Sequence, residues 1–249
     1  MSKISVCMAT RNGEKYIGRQ IESILKQLRQ DDELIISDDT STDQTIGLIK
    51  SFSDKRIILL ENNVFYNPIF NIENALKKAS GEIVVLSDQD DVWLDNKIAV
   101  IERELAGVHV GNKLIVLDGY IVDENETITH DSIFEHIDSG KGLLKNIYDN
   151  TYMGCCMAFP RDLLKIALPF PKNVPMHDMW LGLLAELFGT VEFVREKTIK
   201  YRRHGASVTD LHLRIDVLRQ IRRRYHLVTA LLGRYLLVKY SRQTAREKE

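Results

Sequence analysis

The sequence predicts an α/β fold, with a mostly parallel central sheet flanked by helices and a C-terminal helical appendage. Three observations carry that expectation. Short apolar runs alternate with segments of helical period through the first half of the chain. The apolar runs end in polar clusters, as strands of a buried parallel sheet do at their carboxyl ends. At 249 residues the chain is long enough to bury a sizeable core.

The elements follow in order. "ISVCMA" (Ile4 to Ala9) reads as a buried strand. "EKYIGRQIESILKQL" places Ile17, Ile21, Ile24, Leu25 and Leu28 on one helical face. "ELIIS" is a second strand, and Asp43 is positioned to cap the helix "QTIGLIKSF". "RIILL" is a third strand, and "NPIFNIENALKKAS" a helix closed by Gly81. "EIVVLS" is a fourth strand that delivers Asp88. Beyond it, "KLIVLDGYIVDE" reads as one or two strands, and "MGCCMAFPRDLLKIAL" as strand, turn and helix. "MHDMWLGLLAELFG" is a helix starting near His177 or Asp178 and stopping at Gly189. "VEFVREKTIKYRRHGASVT" reads as a strand pair ending in a polar loop. In the last segment Leu211, Ile215, Leu218, Ile221, Tyr225, Val228, Leu232 and Leu236 recur in steps of three and four. That spacing predicts one or two amphipathic helices whose apolar seam packs on the body or on a second copy.

Formal net charge is −1, which argues against whole-chain nucleic-acid binding. The charge is unevenly spread. From Leu211 onward Arg214, Arg219, Arg222, Arg223, Arg224, Arg234, Lys239, Arg242, Arg246 and Lys248 face only Asp216, Glu247 and Glu249. Three cysteines, two of them adjacent (Cys155 and Cys156), make no disulfide framework and read as small buried apolar residues. The N-terminus lacks a signal-peptide pattern and no apolar stretch approaches a membrane span. The expected place is the cytoplasm, with the basic tail able to reach the inner face of the plasma membrane.

Four clusters carry chemistry, each with a plainer alternative. "SDQDD" sets Asp88 and Asp90 two apart after a buried strand, where both can share a hard cation such as Mn²⁺ or Mg²⁺. A solvated acidic turn gives the same pattern. In "SDDTSTD", Asp38 and Asp39 could accept hydrogen bonds from a base or ribose, or act as caps. In "HDMW", Asp178 beside His177 and Trp180 opens a helix, whose N-terminus favours the ionised form that a general base needs. It too could be a cap. His204 in "YRRHG" could ligate a metal or pair with phosphate, or do neither.

Taken in chain order, "SVCMATRNGEKYIGRQIESILKQ", "DELIISDDTSTDQT", "VVLSDQDDVWLDNK", "MGCCMAFPRDLL", "HDMWLG" and "YRRHGASVT" resemble the inverting family 2 glycosyltransferases of the GT-A fold, from about Ile4 to Thr209. The resemblance is nearest the bacterial surface-polysaccharide branch, many of whose members are called rhamnosyltransferases. It implies a GT-A domain over residues 1–209, with a nucleotide-sugar-binding half (1–110) and an acceptor half (111–209), followed by a basic helical tail (210–249). It also implies roles. Asp88-Gln89-Asp90 falls on the family's DXD motif, so Asp90, with Asp88 and His204, would hold Mn²⁺ or Mg²⁺ against the donor diphosphate. Thr10, Arg11, Asn12, Glu14, Asp38, Asp39, Asn71 and Asp88 fall where the donor binds. Asp178 falls on the catalytic base, and Trp180 with His177 on the acceptor side. Many relatives carry Tyr where Arg11 stands; Arg can stack through its guanidinium plane. Asp91 has no assigned role beyond capping the next turn or orienting its neighbours.

The implied partners are a dTDP- or UDP-sugar donor and a saccharide or lipid-linked acceptor, with no nucleic acid. A signalling receiver domain is excluded because the first strand ends in "TRNG" and the third in "ENN", without the acids that fold needs. An inactive sugar-nucleotide binder would not need Asp178. A nucleotidyltransferase would want a Gly-rich basic loop that "TRNGEKY" lacks.

Overall fold

The computed structural model describes residues 2–107, 111–203 and 217–246. The nucleotide-side half is a run of β1 (Ile4–Thr10), α1 (Ile17–Leu25), β2 (Glu33–Asp38), α2 (Thr45–Ser51), β3 (Ile57–Leu60), α3 (Pro68–Leu76) and β4 (Ile83–Ser87). Then come β5 (Val92–Trp93), α4 (Lys97–Glu104), β6 (Lys113–Val122), β7 (Ile128–His130), α5 (Ile133–His136) and α6 (Leu143–Tyr148). A 3₁₀ turn (Gly154–Cys156) leads into β8 (Met157–Pro160), α7 (Leu163–Ala167), α8 (His177–Phe188), β9 (Thr190–Arg202) and α9 (Val217–Arg246).

The strand order is β3-β2-β1-β4-β8-β6-β9-β5, with β7 on the edge of β6. Strands β1 to β4 are parallel, as their unbroken apolar runs predict. Beyond β4 the sheet is mixed: β8 runs antiparallel to β4 and β6, β9 parallel to β6, and β5 antiparallel to β9. The sheet is mostly parallel as expected, because the antiparallel pairings beyond β4 span two or three residue pairs each while β6 and β9 pair in parallel over nine. The expected strand pair near the C-terminus is one strand of 13 residues, and "KLIVLDGYIVDE" is one strand of ten up to Val122.

Local signals explain most boundaries. In α1, Ile17, Ile21 and Ile24 are fully buried. Gln44 holds the N-cap position of α2 without a side-chain cap, and Asp43, one residue earlier, accepts from Thr45 N at 3.0 Å. Asn67 caps α3 by accepting from Ile69 N at 2.8 Å. Gly81 does not close α3, which ends at Leu76. It passes against β1, where a Cβ would meet Lys3 O and Ser5 N at 2.7 Å. Gly189 does follow the last residue of α8.

The tail reverses one expectation. The seam through Ile221, Tyr225, Val228, Leu232 and Leu236 faces outward, each at least 36% exposed. The packed face is instead Leu227 and Leu231, with Tyr235 stacked on Phe188 of α8 at 5.8 Å between centroids. Arg234 fixes that choice, because its guanidinium donates to Ile166 O, Leu168 O and Pro169 O at 2.6 to 3.0 Å. These are carbonyls left open at the end of α7. Leu211, Ile215 and the Leu218 side chain lie outside what is described. Among the described residues no helix is long and apolar enough to cross a membrane.

Candidate active site

The order 3-2-1-4 reverses direction at β1, so the crevice beyond β1 and β4 is where an open α/β sheet binds its ligand. The loops following these two strands carry Arg11, Asn12, Glu14 and Asp88 of the predicted donor residues, and Gln89 joins them. Its Oε1 accepts from Arg11 N at 3.0 Å and its Nε2 donates to Arg11 O at 3.1 Å. Asn12 and Glu14 stitch the first loop to the second: Asn12 Oδ1 accepts from Thr42 N and Glu14 Oε2 from Gln44 N, each at 2.8 Å. Arg11, Asn12 and Glu14 remain exposed at the rim. The Arg11 guanidinium stands 4.9 Å from the Tyr66 ring centroid.

The other donor-side candidates lie beneath the rim. Thr10 Oγ1 donates to Asp38 Oδ2 at 2.9 Å, and Asn71 Nδ2 to Thr10 O at 3.1 Å. Asp39 accepts from Phe65 N at 2.6 Å and Asn67 N at 3.1 Å, which holds the loop after β3. Thr10, Asp38, Asp39 and Asn71 are at most 2% exposed. Thr10, Asp38 and Asp39 turn polar atoms into the scaffold, whereas Asn71 Oδ1 is buried without a hydrogen-bond partner.

At the end of β4, Asp88, Gln89 and Asp90 are half-buried and Asp91 is fully buried. Asp88's carboxyl is pushed up to about 7, first by burial and then by the charges of Asp90 and Asp178. The charge of Asp178, at the N-terminus of α8, thus reaches the acid turn. Lys97 of α4 opposes the effect. That lysine is fully buried, donates to Cys155 O at 2.7 Å and sits 4.7 Å from the Trp93 ring centroid. Asp91 Oδ1 accepts from Arg202 N at 2.9 Å, so its role is to tie the acid turn to the end of β9.

Arg202 itself is 4% exposed. Its Nε donates to Asp90 O at 2.9 Å and its Nη1 to Glu124 O at 2.9 Å. His204, expected as a metal ligand, lies outside the described residues.

Asp178 is 6% exposed, and its Oδ1 accepts from Met179 N at 2.5 Å and Asn150 Nδ2 at 3.1 Å. Burial raises its carboxyl; His177, Met179 N, Asn150 and the Gly154 backbone work the other way. Burial draws the His177 imidazole down, against the pull of Asp178, and its Nδ1 is buried without a hydrogen-bond partner. A Cβ on Gly154 would sit 2.9 Å from His177 Nε2, so the residue must be small there. Trp180 does not line this side. It is fully buried with Nε1 donating to Ala167 O at 3.0 Å, under the Arg234 guanidinium. The acceptor-wall expectation fails because α7 and α9 cover that face of α8.

Sequence reading missed Gln89, Lys97, Asn150 and Arg202. "YRRHG" carried the one local signal, with Arg202 two positions before the histidine that was singled out. A cation's fit can be judged from the donor set. Asp88, Asp91 and Cys155 bring one atom each within 4.8 Å of one another. Cys155 and Asp91 are both buried and both raised well above their ordinary values, a poor pair for a hard cation. Asp88 and Asp90 are half-buried, and Asp90's charge raises Asp88, so these two carboxylates fit Mn²⁺ or Mg²⁺.

The family model described as glycosyl transferase family 2 matches residues 5–166. An Escherichia coli protein, UDP-Glc:alpha-D-GlcNAc-diphosphoundecaprenol beta-1,3-glucosyltransferase WfgD, is 30% identical over 74% of this chain and 70% of its own length. A Campylobacter jejuni GalNAc(5)-diNAcBac-PP-undecaprenol beta-1,3-glucosyltransferase is 34% identical over 59% of this chain and 45% of its own. Among solved structures, Staphylococcus aureus TarS 1–349 in complex with UDP-GlcNAc superposes with a TM-score of 0.64 at 23% identity. That match covers 82% of this chain and 60% of the TarS chain. The Pyrobaculum calidifontis mannosyltransferase PcManGT, in complex with GDP-Man and Mn²⁺, gives 0.62 at 17% identity, covering 92% and 64%. These two likenesses are of fold.

Proposed function

The chain belongs to glycosyl transferase family 2, and from that premise we propose that it inverts an anomeric centre while moving a hexose from a UDP-sugar to a lipid-linked saccharide of a bacterial surface polysaccharide. The observation that carries the reading is the acid turn at the switch point of the sheet, where the charges of Asp90 and Asp178 both raise the Asp88 carboxyl. The names of the Escherichia coli and Campylobacter jejuni relatives support a glucosyl-type donor and a diphosphoundecaprenol-type acceptor. They favour UDP over dTDP-rhamnose, and a donor screen by thermal shift separates the two.

In this mechanism Asp178 takes the proton from the acceptor hydroxyl. The hydroxyl oxygen bonds to the anomeric carbon as the bond from that carbon to the diphosphate breaks, and the nucleoside diphosphate leaves with the electron pair. One in-line displacement inverts the centre. Burial makes Asp178 a stronger base than an exposed carboxylate, and Met179 N with Asn150 hold it in place. Asp88 and Asp90 would hold Mn²⁺ or Mg²⁺, which when bound supplies positive charge to the departing diphosphate. Arg11 and Tyr66, whose guanidinium and ring stand 4.9 Å apart at the rim, would flank the nucleobase. Asp178→Asn keeps an acceptor for Met179 N but removes the base. It should cut transfer by about 10² to 10⁴ while UDP-sugar binding persists. Near wild-type transfer would remove Asp178 from the role.

A further inference from the structure

α9 is 30 residues, about 45 Å long. One face is occupied by the body, through Leu227, Leu231 and Arg234. The other carries Ile221, Tyr225, Val228, Leu232 and Leu236 at steps of four, three, four and four, a single stripe on a helix. It continues onto α6. The Arg224 guanidinium lies 4.6 Å from the Tyr148 ring centroid, and Leu144 and Tyr148 are 81% and 74% exposed. An outward apolar strip of this length calls for an occupant.

We infer that this face is a platform that lies on an anionic lipid bilayer. Its charge selects that occupant. No Asp or Glu occurs between Val217 and Arg246, while Arg222, Arg223 and Lys239 are exposed on the same helix. A second copy laid on the strip would press two acid-free basic helices together and be repelled. Anionic headgroups answer the arginines while the acyl boundary takes the leucines and tyrosines. Body and bilayer then hold opposite sides of one helix, with no span required. The platform also adjoins the active site by chain connectivity. Tyr148 precedes by two residues Asn150, whose amide holds Asp178. The inference goes beyond sugar transfer and does not depend on it.

The test is co-sedimentation of the full chain with phosphatidylcholine vesicles containing about one quarter phosphatidylglycerol, against phosphatidylcholine alone, with no donor or acceptor present. The expected result is binding roughly tenfold stronger to the anionic vesicles, and loss of about tenfold or more in Ile221→Asp/Leu232→Asp/Leu236→Asp. That variant leaves Leu227 and Leu231 in place, so its melting temperature and its thermal shift with UDP should match the wild type. Unchanged partitioning of the variant, or no preference for anionic vesicles, overturns the inference. So does a wild-type dimer by light scattering that the variant converts to monomer, which would give the strip to a second copy.

Discussion

Asn150→Ala tests how Asp178 is tuned. The amide Nδ2 lies 3.1 Å from Asp178 Oδ1, on a carboxylate only 6% exposed. A hydrogen bond to such a charged group contributes about 1.5–3 kcal/mol. At about 1.4 kcal/mol per pKa unit, its loss corresponds to about one to two units. Water entering the space left by the amide recovers part, so about one unit is expected. The sign follows from which form is bonded: Asn150 stabilises the ionised carboxylate, so removing it raises the pKa. The acid limb of the kcat/KM profile, followed by release of nucleoside diphosphate, should move up by about one unit. Above the shifted limb the rate should return to near wild type. Tyr152 N also donates to Asn150 Oδ1 at 3.3 Å, so a stability loss of about 1 kcal/mol accompanies the change. A uniform fall in rate at every pH, with the limb unmoved, would refute the reasoning. Asn150 would then only shape its loop, and Asp178 would not be the group titrating in that limb.

Three other perturbations separate the parts of the site. Asp88 has a folded pKa of about 7, above its unfolded value, so its contribution to stability is present at acid pH and lost as pH rises through about 7. With chelator present, Asp88→Asn should therefore equal wild type only below the ordinary carboxylate range, gain on it as pH rises towards about 7 and stay higher above that, and Mn²⁺ should stabilise the wild type more than the variant. Gln89→Ala removes the two bonds to the Arg11 backbone and should weaken UDP-sugar binding about tenfold with little change in melting. Isothermal titration measures it. Arg202→Ala leaves the carbonyls of Asp90 and Glu124 without their buried donor and should cost about 3 kcal/mol in urea unfolding.

Those residues divide into what the sequence exposes and what it hides. Asp88 and Asp178 were legible because each sits at an element end that its neighbours announce: the apolar run of β4 and the N-terminus of α8. The parallel half was legible for the same reason, since β1 to β4 are unbroken apolar strands separated by helices. The mixed half was not, because β8 inserts between β4 and β6, and no local pattern encodes that pairing. Gln89, Asn150 and Arg202 act on partners 78, 28 and 112 positions away. Such contacts exist only once the sheet is formed. Trp180 and the tail seam were misread through one omission. Helical period says which residues share a face but not which face is covered. On α9 the covered face is the one that brings Arg234 to the carbonyls ending α7.

The three cysteines have a practical corollary. Cys7, Cys155 and Cys156 are all buried and unpaired, and burial raises the Cys7 thiol far above its ordinary range. Thiol chemistry needs an accessible thiolate, so the native fold presents no site to a maleimide or a mild oxidant. A cysteine put at Gly233, where a Cβ would meet nothing within 4 Å, would thus be the single reactive handle of an otherwise silent protein. A fluorophore there could report α9's surroundings with no background from the core.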